Sequence, residues 1–537
     1  MIINKIMKSN SKFSRRNFIS GMAVAGAGSA LSAFRLPEIT DPGNGYGELD
    51  STEVSEDKSN NILLKRLIPQ PEHVQINDDN EVKFDNTLKV NIELGNNDAQ
   101  AKRKTSDIFN RYFGTDPVVS VIQKSGMPTG DAYKISASGF KLTISAACFT
   151  GIRYAFSTLR QLAEANGGSE KLVYYCIPET EIEDAPAMSF RGLHLCWFPE
   201  TETIQIEQYL RWAAYYKFNY VVIEFWGTYP FISHPLLSWE EYKASPKDIH
   251  RLVKIGKELG VTLIPQLNIF GHASGSRGGS GKHSILDFHP EYQPLFEPDG
   301  WVWCLSNPET RKVLSDIVLE TLEAFDNPPY YHVGADEAWG AAECRLCRHS
   351  DYEALVLDHL NFFHDLLSER NCRMMMWHDM LIQKTEPRWK GYVSNGNENA
   401  ERMLNALPKD IIICDWQYSA PKKNETWPTM TFFKEHGFNV LACPWNNIGN
   451  IKSLGKKVGE ARLDGMLCTT WHSPSRNELL NIMMYASQAV WSKPPYANCN
   501  GMMGMRHLRQ IGWDIPIKKY KNCGISEWQV RPGTYPG

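Results

Sequence analysis

Between residues 190 and 470 the chain repeats one alternation eight times: a short, almost continuous apolar run, then a longer segment of helical periodicity. The runs fall at 190–195, 220–225, 262–267, 330–333, 373–377, 411–415, 439–443 and 465–470. A strand that is apolar on successive rather than alternate residues is buried on both faces, the condition of a parallel strand covered by helices. Eight such units in about 300 residues point to a closed (β/α)₈ barrel. The intervening segments carry their own start signals. Ser245-Pro246 precedes a helix expected at 247–259, and Ser306-Asn307-Pro308-Glu309, with capping-box spacing and an early proline, precedes one at 310–325. Ahead of the barrel, strand-like alternation at 88–92 and helical patterns at 101–113 and 151–164 read as a smaller domain. The fold class expected is α/β: a small α+β domain over 63–180, then a TIM barrel with its C-terminal tail over 181–537.

The first residues have a different texture. Arg15-Arg16 and a small-residue apolar run at 21–33 give residues 1–35 the marks of an export signal similar to the twin-arginine type. Residues 36–62 are rich in Asp, Glu, Ser and Gly and read as a linker. An exported protein, periplasmic or secreted, is the expectation. No later stretch holds eighteen consecutive apolar residues, so no membrane span is expected in the mature chain. A formal net charge of −4 supplies no field that would draw nucleic acid. The twelve cysteines are scattered, with Cys344 and Cys347 the only close pair. Although Cys372 or His349 could complete a metal site, a local disulfide or packed thiols is the expectation, with no metal and no cofactor.

In a (β/α)₈ barrel the chemistry sits at the C-terminal ends of the strands. Those ends carry carboxylates and aromatic rings: Glu224 and Trp226, then Asn268 and His272, then Asp336 and Glu337. Trp377, His378 and Asp379 follow, with Asp415, Trp416 and Tyr418, then Trp445, and finally Trp471. No phosphate loop, serine elbow or His-x-x-x-His pair is among them. Two carboxyl groups can protonate a leaving glycosidic oxygen and stabilise a cationic sugar, while flat rings suit sugar faces. Each residue also has a plainer reading. Asp336 and Glu337 could form an ion pair or a helix cap, Arg191 a structural salt bridge, and the tryptophans ordinary packing.

Several stretches bear a common resemblance. Leu67-Ile68-Pro69-Gln70-Pro71, the 151–162 segment, Ile182-Glu183-Asp184-Ala185-Pro186, Phe190-Arg191-Gly192 and His332-Val333-Gly334-Ala335-Asp336-Glu337 are similar, in order, to the family 20 glycoside hydrolases, the β-N-acetylhexosaminidases. The resemblance implies a retaining reaction in which the substrate's own acetamido oxygen is the nucleophile. It implies Glu337 as general acid and base and Asp336 as the group orienting the acetamide. It further implies Arg191, Glu224, His272, His332, Trp377, Trp416, Tyr418 and Trp471 as substrate-binding residues, and N-acetylhexosamine-containing glycans as partners.

The pattern also departs from the family. Leu195-Cys196 stands for the usual Leu-Asp, and Pro265-Gln266-Leu267-Asn268 for Pro-Glu-Ile-Asp. Ile223-Glu224-Phe225-Trp226 stands where His-x-x-Asp is common, and Ala335 replaces the second glycine of His-x-Gly-Gly-Asp-Glu. Two competing readings use the same residues: a weak or inactive glycan-binding protein on this scaffold, and a barrel glycosidase of other specificity employing Glu224 and Glu337 as a conventional pair.

Overall fold

The computed structural model describes residues 63–167, 172–199, 201–274, 285–471 and 478–511. The expected export segment and linker lie outside the described residues.

The smaller domain is one seven-stranded sheet with two helices against it. Its strands are β1 (His73–Phe84), β2 (Lys89–Leu94), β3 (Val118–Gln123), β4 (Tyr133–Ser138), β5 (Lys141–Ala146), β6 (Glu164–Gly167) and β7 (Leu172–Asp184). Their order is β1-β7-β4-β5-β2-β3, with β6 pairing β7. Alternation decides which face is covered: along β2, Val90, Ile92 and Leu94 are buried, all on one side of the pleat. Helices Ala101–Phe113 and Phe149–Leu162 place Phe109, Phe113 and Phe156 in the same core as Phe84.

Eight parallel strands then close the barrel: β8 (Phe190–Trp197), β9 (Tyr220–Phe225), β10 (Thr262–Gln266), β11 (Tyr330–His332), β12 (Arg373–Trp377), β13 (Ile412–Trp416), β14 (Asn439–Cys443) and β15 (Gly465–Thr469). Closure is made by β15 on β8, with Gly465 opposite Phe190. All eight residues of β8 are buried, as two-sided coverage requires. Phe190, Val222, Ile264, Met375, Ile412, Leu441 and Leu467 fill the interior, while Leu193, Leu195, Val221 and Leu263 face the surrounding helices. Ser245 caps its helix reciprocally with Asp248, as its spacing predicts. The later helix, Pro308–Ala324, is capped by Asn307, whose side chain accepts the Glu309 amide; the capping box expected from Ser306 does not form. Instead, Ser306 Oγ lies 3.2 Å from Cys347 Sγ.

The sheet domain is fastened to the N-terminal end of the barrel by buried polar groups. Asp184, the last residue of β7, accepts hydrogen bonds from Tyr133 Oη at 2.6 Å, Lys217 Nζ at 3.0 Å and Trp491 Nε1 at 2.9 Å. Arg191 belongs to this junction. Its Nε and Nη1 donate to the carbonyls of Lys217 and Met188, and its Nη2 to Asp131 and Tyr154. No helix of the described residues is long and apolar enough to cross a membrane.

Candidate active site

The turn after β11 is built on unusual backbone. Gly334, Ala335 and Glu337 have φ of 66°, 70° and 47°, and His272 on the neighbouring loop has 56°. Non-glycine residues in the left-handed region each carry a conformational cost, and such residues concentrate at functional sites. Crowding explains the two glycines. A Cβ on Gly334 would lie 2.1 Å from Asn268 Oδ1, and one on Gly271 would lie 2.1 Å from the Asp336 carbonyl oxygen. The loop after β10 therefore meets the β11 turn at backbone distance through Gly271, while Gly334 makes room for the Asn268 side chain, and His272 is fixed against the acidic pair.

His272 Nε2 lies 3.3 Å from Asp336 Oδ2 and 3.2 Å from Glu337 Oε2, so one ring nitrogen spans both carboxylates. Their surroundings differ. The Asp336 side chain is 7% exposed and accepts from Asn268 Nδ2 at 2.9 Å, whereas that of Glu337 is 23% exposed. Trp301 Nε1 donates to the Glu337 carbonyl at 2.7 Å. The Glu337 amide donates to Asp379 Oδ2 at 3.0 Å. Asp379 is wholly buried and also accepts from Asn395 Nδ2 at 2.9 Å and Trp416 Nε1 at 3.3 Å.

Burial, and then the nearby charge of Asp336, push the Asp379 carboxyl up from 3.8 to about 6. A raised carboxyl pKa means that the folded state holds its proton more tightly than the unfolded chain. Its contribution to stability is therefore fully present below pH 3.8 and is lost as pH rises through about 6. Unfolding free energies from urea titrations at a series of pH values should show this component as a decline across that window. Asp379→Asn should lack it, and Asp336→Asn should reduce it; identical curves for wild type and Asp379→Asn would contradict the assignment.

Behind Asp336 a hydrogen-bonded relay crosses the barrel interior. Asn268 Oδ1 accepts from Gln266 Nε2 at 3.4 Å, and the same Nε2 donates to Glu224 Oε1. The other oxygen of Glu224 is met by Trp226 Nε1 at 3.0 Å and Cys196 Sγ at 3.2 Å, with His194 Nε2 at 3.5 Å. Cys196, Glu224, Gln266 and Asn268, four of the departures from the family pattern, thus form one connected set. A single buried carboxylate backs Asp336 through two amides.

The aromatic wall is tied to the same acids. Trp377 lies 4.4 Å from the His332 ring and 5.8 Å from Trp471, between centroids. Trp471 Nε1 donates to Tyr418 Oη at 2.7 Å, and Tyr418 lies 5.2 Å from Trp416. His272 is further flanked by Trp301 at 4.4 Å and Trp226 at 6.3 Å.

Of the residues expected to meet substrate, the structure gathers Asp336, Glu337, His272, Trp377, Trp416, Tyr418 and Trp471. Three stand elsewhere. Arg191 shares the outward face of Leu193 and Leu195 at the start of β8, because side chains alternate along a strand, and its guanidinium is consumed by the domain junction. His332 is fully buried beneath the wall, where Nδ1 accepts the Gly334 amide at 3.1 Å and supports the left-handed turn. Glu224 is 1% exposed and acts through the relay. Two participants were missed as site residues: Asp379, which stands directly after a strand beside Trp377, and Trp301, which lies in a long insertion with no strand-end signal.

Two carboxyl groups of unequal exposure, bridged by a histidine and walled by indoles, can transfer a proton at one position and hold a polar N–H at the other. Residues 238–482 match "Glycosyl hydrolase family 20, catalytic domain" and residues 65–185 match "Glycosyl hydrolase family 20, domain 2". A β-hexosaminidase of Porphyromonas gingivalis is 23% identical over 262 residues, 44% of this chain and 32% of the relative. A lacto-N-biosidase of Bifidobacterium bifidum is 23% identical over 495 residues, 81% of this chain and 41% of the relative. The chain thus spans well under half the length of these two relatives. Among solved structures, an exo-β-N-acetylglucosaminidase of Vibrio harveyi with bound N-acetylglucosamine superposes with a TM-score of 0.62 at 17% identity, covering 86% of this chain and 78% of that one. A likeness at that identity speaks for the fold.

Proposed function

The chain belongs to glycosyl hydrolase family 20, and from that premise we propose that it releases terminal N-acetyl-β-D-hexosamine residues, GlcNAc or GalNAc, from glycans with retention of configuration. The observation that carries this reading is the unequal pair bridged by His272. Glu337, the more exposed acid, donates its proton to the leaving glycosidic oxygen as the substrate's 2-acetamido oxygen bonds to the anomeric carbon. Asp336, the more buried one, accepts the acetamide N–H and stabilises the oxazolinium charge that forms. In the second step Glu337 takes a proton from the water that adds to the anomeric carbon, and the acetamide is regenerated. An attached nucleophile has already lost most of its translational freedom, which is the kinetic advantage of the route. Trp377, Trp416, Tyr418 and Trp471 enclose the acetamide and the sugar ring.

The test is chromophore release from aryl N-acetyl-β-glucosaminide, its galactosaminide counterpart and an aryl β-glucoside lacking the acetamide. Turnover is expected for the first two and not the third, with competitive inhibition by a thiazoline mimic of the oxazolinium. Sugar binding without turnover would favour a glycan-binding protein, and turnover of the glucoside a conventional two-carboxylate glycosidase.

The relay adds a finer expectation. Asn268→Ala removes a hydrogen bond to a charged acceptor, a loss of about 1.5–3 kcal/mol. If Asp336 needs that support mainly in the transition state, kcat should fall roughly ten- to hundredfold with KM nearly constant. A rise in KM at constant kcat would show that Asn268 serves ground-state binding instead.

A further inference from the structure

The loops on either side of Glu337 carry a side-chain cluster that the proposed reaction does not use. Glu297, Cys304, Cys344 and Cys347 each present a ligand atom to one small volume, all within 4.8 Å of one another. Cys304 Sγ lies 3.4 Å from Cys344 Sγ and 3.6 Å from Cys347 Sγ. Thiolates sharing a tetrahedral zinc, with Zn–S near 2.3 Å, stand about 3.8 Å apart. Three convergent thiols cannot all be matched by one disulfide, which would leave a sulfur over.

Glu297 gives the independent observation. It is fully buried, its Oε2 accepts the amides of Glu343 and Cys344, and its Oε1 is buried with no hydrogen-bond partner. A buried carboxylate oxygen without a partner is strongly disfavoured, and a cation is the partner that three neighbouring sulfurs would also share. Neither Cys372 nor His349 joins the cluster; the Cys344-Cys347 pair is completed by Cys304 and Glu297.

We propose that Glu297, Cys304, Cys344 and Cys347 form a four-ligand site for a divalent metal ion, with zinc the best match to three thiolates and one carboxylate. A closed set of four protein ligands is the pattern of a structural ion. The Cys-x-x-Cys turn is set by the Cys347 and Arg348 amides donating to the Cys344 carbonyl. Ser306 Oγ, 3.2 Å from Cys347 Sγ, supplies an outer hydrogen bond. The ion would staple the segment holding Trp301 and Trp303 to the loop that follows Glu337. Trp303 Nε1 donates to the Asn268 carbonyl at 3.0 Å, and Trp301 stacks on Trp339 at 6.0 Å. The metal site stands on its own cluster and does not depend on the proposed reaction.

The experiment uses the full chain, reduced, loaded with Zn²⁺ or Co²⁺ and desalted. About one metal ion per chain is expected by mass spectrometry, and the Co²⁺ form should show thiolate-to-metal charge transfer and tetrahedral d–d bands. The thiols of Cys304, Cys344 and Cys347, followed by peptide mapping, should resist alkylation until a chelator is added. Cys304→Ser and Cys344→Ser should abolish stoichiometric binding, and Glu297→Gln should weaken it by about tenfold or more. Should the cysteine variants fail to fold, wild-type metal content and thiol protection decide the question alone. The proposal is overturned if the wild-type chain retains under about a tenth of an equivalent with Cys304, Cys344 and Cys347 all reactive, if peptide mapping of protein purified without reductant finds a disulfide among those three, or if the variants bind as the wild type does.

Discussion

Glu337→Gln is expected to lower kcat by roughly a hundred- to ten-thousandfold while the chain stays folded, because it removes the proton that the leaving oxygen receives and the base that water requires. The size of the loss should depend on the leaving group. A nitrophenolate departs with little protonation, whereas an alkyl or sugar oxygen does not, so the variant should be far more defective on the second kind of substrate. Asp336→Asn should behave differently, since the group it contacts is the acetamide. Its loss, on the order of a hundred- to a thousandfold, should be nearly constant across leaving groups and should shrink the preference for acetamido sugars over plain ones. Steady-state kinetics on an aryl and an alkyl N-acetylglucosaminide separate the two roles. Equal leaving-group dependence in both variants would mean that the assignments do not hold.

Much of this site is legible in the amino-acid sequence. Two-sided burial writes continuous apolar runs, and all eight became barrel strands, so the strand ends that carry Asp336, Glu337, Trp377, Trp416 and Trp471 could be found from periodicity alone. What periodicity cannot supply is the direction of a side chain near a strand's start. Arg191 lies within a motif resembling the family's, yet it sits one residue off the inward-facing set of Phe190, Val222 and Ile264 and is drawn into contacts with Asp131 and Lys217. Nor can spacing reveal partners remote in sequence. Glu224, Gln266 and Asn268 are separate departures along the chain and a single hydrogen-bonded path in space. Cys304 stands forty residues from Cys344 and meets it only through the fold.

The junction below the barrel should govern stability as strongly as the acids above govern rate. Asp184→Ala leaves the ammonium of Lys217, which is fully buried, without its carboxylate, and strands the indole N–H of Trp491. Breaking a buried pair by removing one partner costs about 3–5 kcal/mol, because an uncompensated charge remains in a low-dielectric site. Burial already lowers the pKa of Lys217, and the attraction of Asp184 opposes that shift. In Asp184→Ala the folded state should therefore favour the neutral amine. With a folded-state pKa below the unfolded one, the penalty should ease as pH rises toward the ordinary lysine range of about 10. Replacing both partners, as Asp184→Leu with Lys217→Met, should recover the part of the loss that comes from the unpaired charge, while the Trp491 N–H stays without its acceptor. Urea titrations of Asp184→Ala, Lys217→Met and the double variant at neutral and alkaline pH would measure this. Lys217 precedes β9, at the end of the barrel opposite the acids, so kcat per folded molecule should not change. A single variant that unfolds no more readily than wild type, or a double variant no more stable than the singles, would show that the ion pair is not what fastens the two layers.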